Sequence, residues 1–354
     1  MTALEEIIAS LAPQDAPARS RARERLGQLT MPYWALGRLM DLAEDLAGMT
    51  GSLQPPVTRK TVLVLAADHG IVGQGVSRYP REVTCQMVRN FVRGGAGINV
   101  LARRAGAEVI VVDMGVAGDL SDLVEAGRIL DRRIAAGTGD MTTGPAMTRD
   151  EARRSVEAGM ALALSLSDTT DVFATGEMGI GNTAPSSAIV ALYSGQAVDR
   201  VTGRGTGIDD EGLRRKVAAI ETALRINDPD KDDPLDVLAK VGGFEIGGMA
   251  GVILGAAARK KPVLIDGFIS TAGAIVACRL APLVLDYLIA SHRSLEPGHR
   301  IALESLGKLP LLDLDLRLGE GTGSALAMPL VDAAAAILTE VATFAEAGVS
   351  RAEP

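Results

Sequence analysis

The chain has 354 residues, 47% of them hydrophobic and 23% charged, with a formal net charge of −8. That length and balance describe a globular chain with enough apolar residues for one large domain or two modest ones. The acidic charge excludes a basic nucleic-acid binder, whose affinity needs a cationic surface that releases counterions.

In chain order, residues 3–11 and 17–49 show helical spacing, with Leu26, Leu29, Leu36, Leu39, Met40, Leu42 and Leu46 recurring at threes and fours and Pro32 interrupting the run. "GSLQPP" (51–56) is a linker by composition. "TVLVLAADHG" (61–70) reads as a short apolar strand ending in Asp68 and a turn, and 82–104 as a helix. "AEVIVVDMGV" (107–116) repeats the strand pattern and ends on Asp113. A helical stretch at 148–167 leads to "DVFATGEMGIGNT" (171–183), a third strand with Glu177 at its end. Helical patterns follow at 183–193, 209–225 and 246–259, then a fourth strand in "KPVLIDGFIST" (261–271), which carries Asp266. Residues 324–347 form an alanine-rich helix that Ser324 is placed to cap, with Pro329 marking a kink or the true first turn.

Continuous apolar strands alternating with helices predict an α/β fold, a Rossmann-like, mostly parallel sheet covered on both faces. Residues 55–323 are expected to form the α/β domain. Residues 1–54 and 324–354 are expected to form a small helical domain from the two chain ends. Cys85 and Cys278 stand far apart and His69, His292 and His299 are scattered, so neither a disulfide framework nor a metal site is expected. No basic segment precedes an apolar run near residue 1, and no run of 18 apolar residues lacks a charge or turn signal. A cytoplasmic protein without a membrane partner is expected.

Four strand ends carry an acidic residue and a glycine, which on one rim would make a site. Ordinary turn chemistry predicts the same residues. "GEMGIGNTAPSSAIV" (176–190) is a glycine turn in which Gly179 and Gly181 admit a ligand, and Asn182 or Thr183 is placed to cap the next helix, whose N-terminus suits an anion. Taken alone, such a loop is more often a tight turn than a phosphate site. A second glycine loop, "VTGRGTGIDDEGLRRK" (201–216), offers backbone amides at Gly205 and Thr206, with Lys216 two turns into the following helix. Two such loops favour a phosphorylated small molecule over a flexible surface segment. Ser77, Tyr79, Pro80 and Gln86 sit beside Val83, Met87 and Val88, a mixture that suits a flat heteroaromatic ligand or, on periodicity alone, a core face.

"LRLGEGTGSALAM" (316–328) sets one carboxylate, Glu320, between two glycines ahead of an apolar helix. It reads as a helix-dipole acid, as a solvated side chain, or as a general base whose pKa is raised by apolar neighbours such as Leu318.

Seven ordered stretches over residues 20–350 resemble one family. They are "AADHGIVGQGVSRYPREVTCQMVRNFVRGGAGINVLAR", "GEMGIGNTAPSSAI", "GRGTGIDDEGLRRK", "GGFEIGGMAGVILGAA", "PVLIDGFISTAGA", "SHRSLEPGH" and "LRLGEGTGSALAMPLV". The family is that of nicotinate-nucleotide:5,6-dimethylbenzimidazole phosphoribosyltransferases, which act in assembling the lower nucleotide loop of cobalamin. The resemblance implies a homodimer that uses nicotinate mononucleotide and a benzimidazole-type base, with no cofactor. It implies Glu320 as catalytic base and Glu177 as a second acidic residue of the site. Gly179, Gly181, Asn182, Gly205, Thr206, Lys216, Asp266 and Ser294 match segments that hold the phosphoribosyl group. Ser77, Tyr79, Pro80, Gln86 and Leu318 match the base pocket.

Rival readings are a non-catalytic mononucleotide or benzimidazole sensor, a phosphoribosyltransferase using a pyrophosphorylated sugar, and a dehydrogenase. The last would want GxGxxG after the first strand, where the chain has "AADHGIVGQG".

Overall fold

A computed structural model describes residues 2–350. Six strands, β1 (Lys60–Ala67), β2 (Ala107–Gly115), β3 (Leu130–Asp131), β4 (Val172–Met178), β5 (Val263–Ile265) and β6 (Leu288–Ala290), form one sheet in the order β3-β2-β1-β4-β5-β6. Every neighbouring pair is parallel. This is the doubly wound order in which the direction of strand addition reverses between β1 and β4, so a crevice opens outside the carboxyl ends of those two strands. β1 is buried along its whole length, as a central parallel strand covered on both faces must be.

The helices in chain order are α1 (Ala3–Ser10), α2 (Ala16–Leu26), α3 (Arg38–Thr50), α4 (Val83–Arg93), α5 (Gly97–Ala105), α6 (Ser121–Glu125), α7 (Arg149–Leu166) and α8 (Thr183–Ser194). They continue with α9 (Val198–Val201), α10 (Asp210–Asn227), α11 (Pro234–Val241), α12 (Phe244–Ala258), α13 (Phe268–Leu280), α14 (Pro297–Ser305), α15 (Thr322–Glu340) and α16 (Phe344–Ala347). α12 packs closely on α7 because glycines line the contact: a Cβ on Gly159 would fall 1.9 Å from the Gly248 carbonyl oxygen.

Three departures from the sequence reading bear on the site. The stretch 82–104 is two helices, because Gly94 takes a left-handed conformation and ends α4, and α5 begins anew at Gly97. The last helix starts at Thr322, its Pro329 lies inside it, and it stops at Glu340 before the separate α16. Ser324 therefore does not cap it. The Ser324 and Gly321 amides instead donate to Asp266 at 3.0 Å each, so a carboxylate from the end of β5 does the capping. β3 and β6 have no counterpart in the sequence reading, and of the stretch 261–271 read as a strand only Val263–Ile265 is one, α13 beginning at Phe268.

α2, α3 and α15 pack together, and α2 is tied to the chain end by the Arg25–Glu346 ion pair. α1 lies instead against α7 and α12, in the α/β layer. α15 is long and apolar enough to cross a membrane by length and composition alone, yet it packs against α3 and α5.

Candidate active site

A cavity of about 730 Å³ occupies the crevice between β1 and β4. Its walls come from the segment after β1 and α4 (Arg78, Tyr79, Val83, Met87), the end of β4 with the start of α8 (Glu177 to Ile180, Asn182, Thr183) and the loop 205–207. Gly267 to Ile269, His292, Ser294, Glu296 and the segment 317–320 complete it.

Glu320 sits on the wall with a left-handed backbone (φ 63°), and both flanking glycines are left-handed too (φ 86° and 91°). The glycines are required by close approach as well as by φ. A Cβ on Gly319 would lie 2.3 Å from the Glu177 Oε1, and one on Gly321 would lie 2.6 Å from Val62. Gly176, in β4, is where the Glu320 carbonyl comes nearest the sheet, 2.4 Å from a built Cβ. The Glu320 Oε2 accepts from the Ile98 amide at 3.1 Å, so this acid serves the N-terminus of α5, not that of its own helix. Burial still raises the Glu320 pKa, against the lowering effect of that hydrogen bond. Leu318 lines the cavity but is 60% exposed. Glu320 instead packs its carboxylate against the start of α5 and its backbone against Gly176 of β4.

Glu177 is buried, and the Asn182 Nδ2 donates to it. Burial pushes its pKa up to about 8, with the charges of Asp266 and Glu245 adding to the rise. Asp266 lies beneath the cavity surface. Burial pushes it up to about 7 despite its helix-capping amides. Three carboxyl groups are thereby gathered where α15 begins.

The other two acidic strand ends do different work. Asp113 accepts from the Gly115 and Val116 amides and closes its own turn. Asp68 accepts from the Ala117 amide and ties β1 to the segment after β2. The rim is therefore half catalytic candidate and half turn chemistry.

At the opposite end, Gly205, Thr206 and Gly207 face Thr183, Ser294 and Glu296. Lys216 is fully buried, and its Nζ donates to the Thr183 Oγ1 (2.7 Å) and the Gly203 carbonyl (3.0 Å). Burial lowers its pKa to about 8. Neither Asn182 nor Thr183 caps α8: the amide of Asn182 is taken by Glu177 and the hydroxyl of Thr183 by Lys216. The start of α8 is left uncapped by any side chain and lines the cavity. Ser294 is held from behind, since its amide donates to the His299 Nδ1 (2.8 Å) while the His299 Nε2 meets Thr271 (3.0 Å).

Several expected residues lie elsewhere. Ser77 does not line the cavity; its hydroxyl meets that of Thr206 at 3.1 Å and pins the 203–207 loop. Pro80 and Gln86 are exposed and line no part of the cavity, because the face of α4 that turns inward carries Val83 and Met87. Tyr79 lines it, half exposed at the mouth. Gly181 is left-handed and packs on Val72 without lining the cavity. The sequence reading missed Arg78, Phe268, Ile269, His292, Glu296 and Arg317. His292 and Glu296 lie within "SHRSLEPGH", from which only Ser294 was singled out. The histidines are also less scattered than the sequence suggests: His292 and His299 have ring centroids 5.8 Å apart, and His69 pairs with Glu245 at 2.7 Å. Among the described residues no three acidic, His or Cys side chains converge in a metal-binding arrangement.

Lys216, expected to reach the ligand, instead lies behind the cavity wall. A parallel doubly wound sheet with a glycine loop and an uncapped helix start in its crevice is the frame of an enzyme acting on a phosphorylated small molecule. The phosphoribosyltransferase family matches residues 11–349. The chain is 61% identical over 351 residues, 99% of both chains, to the nicotinate-nucleotide–dimethylbenzimidazole phosphoribosyltransferase of Syntrophotalea carbinolica. It is 52% identical to the enzyme of that name from Desulfotalea psychrophila over the full length of both. The crystal structure of the corresponding Thermus thermophilus enzyme superposes with a TM-score of 0.90 at 47% identity, covering 96% of this chain and all of that one. The chain belongs to the nicotinate-nucleotide–dimethylbenzimidazole phosphoribosyltransferase family.

Proposed function

We propose that this enzyme transfers the 5-phosphoribosyl group from nicotinate mononucleotide to 5,6-dimethylbenzimidazole or a related base, giving α-ribazole 5′-phosphate and nicotinate. The observation that carries the reading is Glu320, a buried carboxylate with a raised pKa on the wall of a cavity that has apolar side chains near it and anion-holding groups at its far end. Val83, Met87, Met178, Ile180 and Leu318 supply apolar surface for a flat bicyclic ring. The Gly205 loop, Thr183 and Ser294 supply donors for a phosphate, and the buried Lys216 holds Thr183 and the loop from behind.

In nicotinate mononucleotide the pyridine nitrogen is cationic, so breaking its bond to C1′ releases a neutral ring. A benzimidazole nitrogen attacks C1′ from the opposite face, and the configuration inverts from β to α. The attacking ring becomes cationic and must lose the proton on its other nitrogen, which Glu320 accepts. General-base catalysis of this kind contributes about two to four powers of ten in rate, and alignment of both rings at C1′ contributes further. Glu177, protonated at neutral pH by its burial, orients the ribose as a hydrogen-bond donor, while Asp266 holds the start of α15 from beneath. The enzyme acts as a cytoplasmic homodimer; the exposed Leu309, Leu314 and Leu318 of one surface segment support a protein partner there.

The test is an assay of purified protein with nicotinate mononucleotide and competing bases, following nicotinate release and the anomeric configuration of the product. Release that is undiminished in E320A or E320Q, or a β product, rejects the reading. Light scattering of the purified chain tests the dimer; a monomer at micromolar concentration rejects that part.

A further inference from the structure

His292 lines the cavity between its two ends, and its two ring nitrogens face different surroundings. Gly323, at the start of α15, packs so close that a Cβ there would fall 1.9 Å from the His292 Nδ1. Two residues on, Ser294 lines the wall beside the glycine loop. The ring is 2% exposed, and burial pushes its pKa down to about 4, so at neutral pH it carries a single N–H. The surrounding bonds assign that proton. The Ser291 hydroxyl spends its one hydrogen on the carbonyls of Ile265 (2.7 Å) and Asp266 (3.2 Å), so toward the His292 Nδ1, 3.3 Å away, it is an acceptor. The Asp266 Oδ1, 3.7 Å from Nδ1, favours the same tautomer. Nε2 is therefore a bare acceptor. It has no hydrogen-bond partner among the described residues and is not sealed from solvent, and the solvent that reaches this ring is that of the cavity.

We propose that His292 is a specificity-determining residue whose Nε2 accepts a hydrogen bond from a ribose hydroxyl of the substrate. This rests on the reading that the cavity holds nicotinate mononucleotide. The pyridine ring of that substrate carries no N–H or O–H, and its carboxylate and phosphate are acceptors. The 2′- and 3′-hydroxyls are its donors. The ribose joins the phosphate to the ring, so it spans the middle of the cavity, where His292 stands between the Ser294 wall and the start of α15. A hydroxyl there meets complementary groups, since it gives its hydrogen to His292 and its oxygen is free to accept from the protonated Glu177. A sugar without that hydroxyl leaves a desolvated ring nitrogen unpaired, a cost that the full ribose avoids.

The experiment compares kcat/KM of the full chain for nicotinate mononucleotide and for its 2′-deoxy and 3′-deoxy analogues, in wild type, H292N and H292F. Asparagine keeps a donor where Nδ1 meets Ser291 and drops the atom that reaches the cavity. Phenylalanine fills the space of the ring without either nitrogen. The readout is the preference for ribose over deoxyribose in each variant relative to wild type, a comparison in which the analogue's own reactivity cancels. For at least one analogue that preference is expected to fall about 10- to 100-fold in both variants. A purely structural role would slow all three substrates alike. Nitrogen-15 NMR of histidine-labelled wild type, with the His292 signals assigned by their loss in H292N, is expected to show a neutral ring protonated at Nδ1. A preference unchanged for both analogues, or a ring protonated at Nε2, overturns the proposal and leaves the transferase reading intact. If neither variant folds, the NMR result decides. Folded wild type that releases no nicotinate rejects the transferase reading. The role of His292 then stands if wild type binds ribose 5-phosphate more tightly than its 2- or 3-deoxy analogue and H292N does not, and falls otherwise.

Discussion

At the start of α15 and at the loop 203–207, the same cavity buries ionisable groups to opposite effect. Around α15, burial drives Glu177 and Asp266 up to about 8 and about 7, toward neutral pH, and raises Glu320 above the ordinary carboxylate value. At the loop, burial lowers Lys216 to about 8, but its ammonium is already bonded to Thr183 and Gly203 and is held in place. Desolvation acts on both ends. The difference lies in what the backbone offers: isolated amides for the acids, and carbonyl and hydroxyl acceptors for the lysine. The proposed reaction asks proton transfer of the first end and binding of the second.

The sharpest way to break this contrast is at Glu320. E320A and E320Q should lower kcat by about two to four powers of ten with little change in KM for nicotinate mononucleotide. Because its pKa is raised and the base must be ionised, wild-type kcat should fall on the acid side at a pH above the ordinary carboxylate range, and the residual activity of E320Q should lack that limb. A large KM effect instead would place Glu320 in binding.

G319A should come next. Its new methyl group meets the Glu177 Oε1 in a left-handed backbone and displaces Glu320, and a shift of about 1 Å in a reacting group costs about 10²-fold in rate. Steady-state kcat checks this, and unchanged turnover would mean that the 319–321 turn has slack.

K216M should act mainly on binding, raising KM for nicotinate mononucleotide about 10- to 100-fold through loss of a charged hydrogen bond. A kcat loss with constant KM would overturn the division of labour.

The smallest effect is on stability. Glu177 has a folded pKa of about 8 against an ordinary value of 4.5, so between those limits the folded state holds a proton that the unfolded state releases. Its contribution is complete below about 4.5 and is lost as pH rises through about 8. Thermal melts should therefore show Tm falling from pH 5 to 8.5, with E177Q flattening the fall and raising Tm by a few degrees at the alkaline end. An unchanged slope would show that Glu177 is solvated.

The four apolar strands that the sequence displays are β1, β2, β4 and β5, because a strand buried on both faces must be apolar throughout. β3 and β6 leave no trace, being held by neighbours and not by their own pattern. "RGGAG" marks the break between α4 and α5, yet nothing local shows that it aims the Ile98 amide at Glu320, 222 residues away. The exposed Gln86 and the inward-facing Met87 have the same status in the sequence, since helix phase relative to a cavity is fixed only by packing.

Alternating apolar strands and helices, glycines at strand ends and a lone acid between two glycines were properties of the chain alone. Each follows from short-range rules of burial, backbone freedom and charge. Which acids close turns and which face a ligand was decided only in the folded molecule. Asp113 and Asp266 both follow apolar strands, but one caps its own turn and the other caps α15 from a distant segment. The same holds for the His292 Nε2, which faces the cavity only because Ser291 and the start of α15 enclose the other side of its ring. Desolvation depends on every atom that surrounds a charge, and those atoms come from parts of the chain that local sequence does not connect.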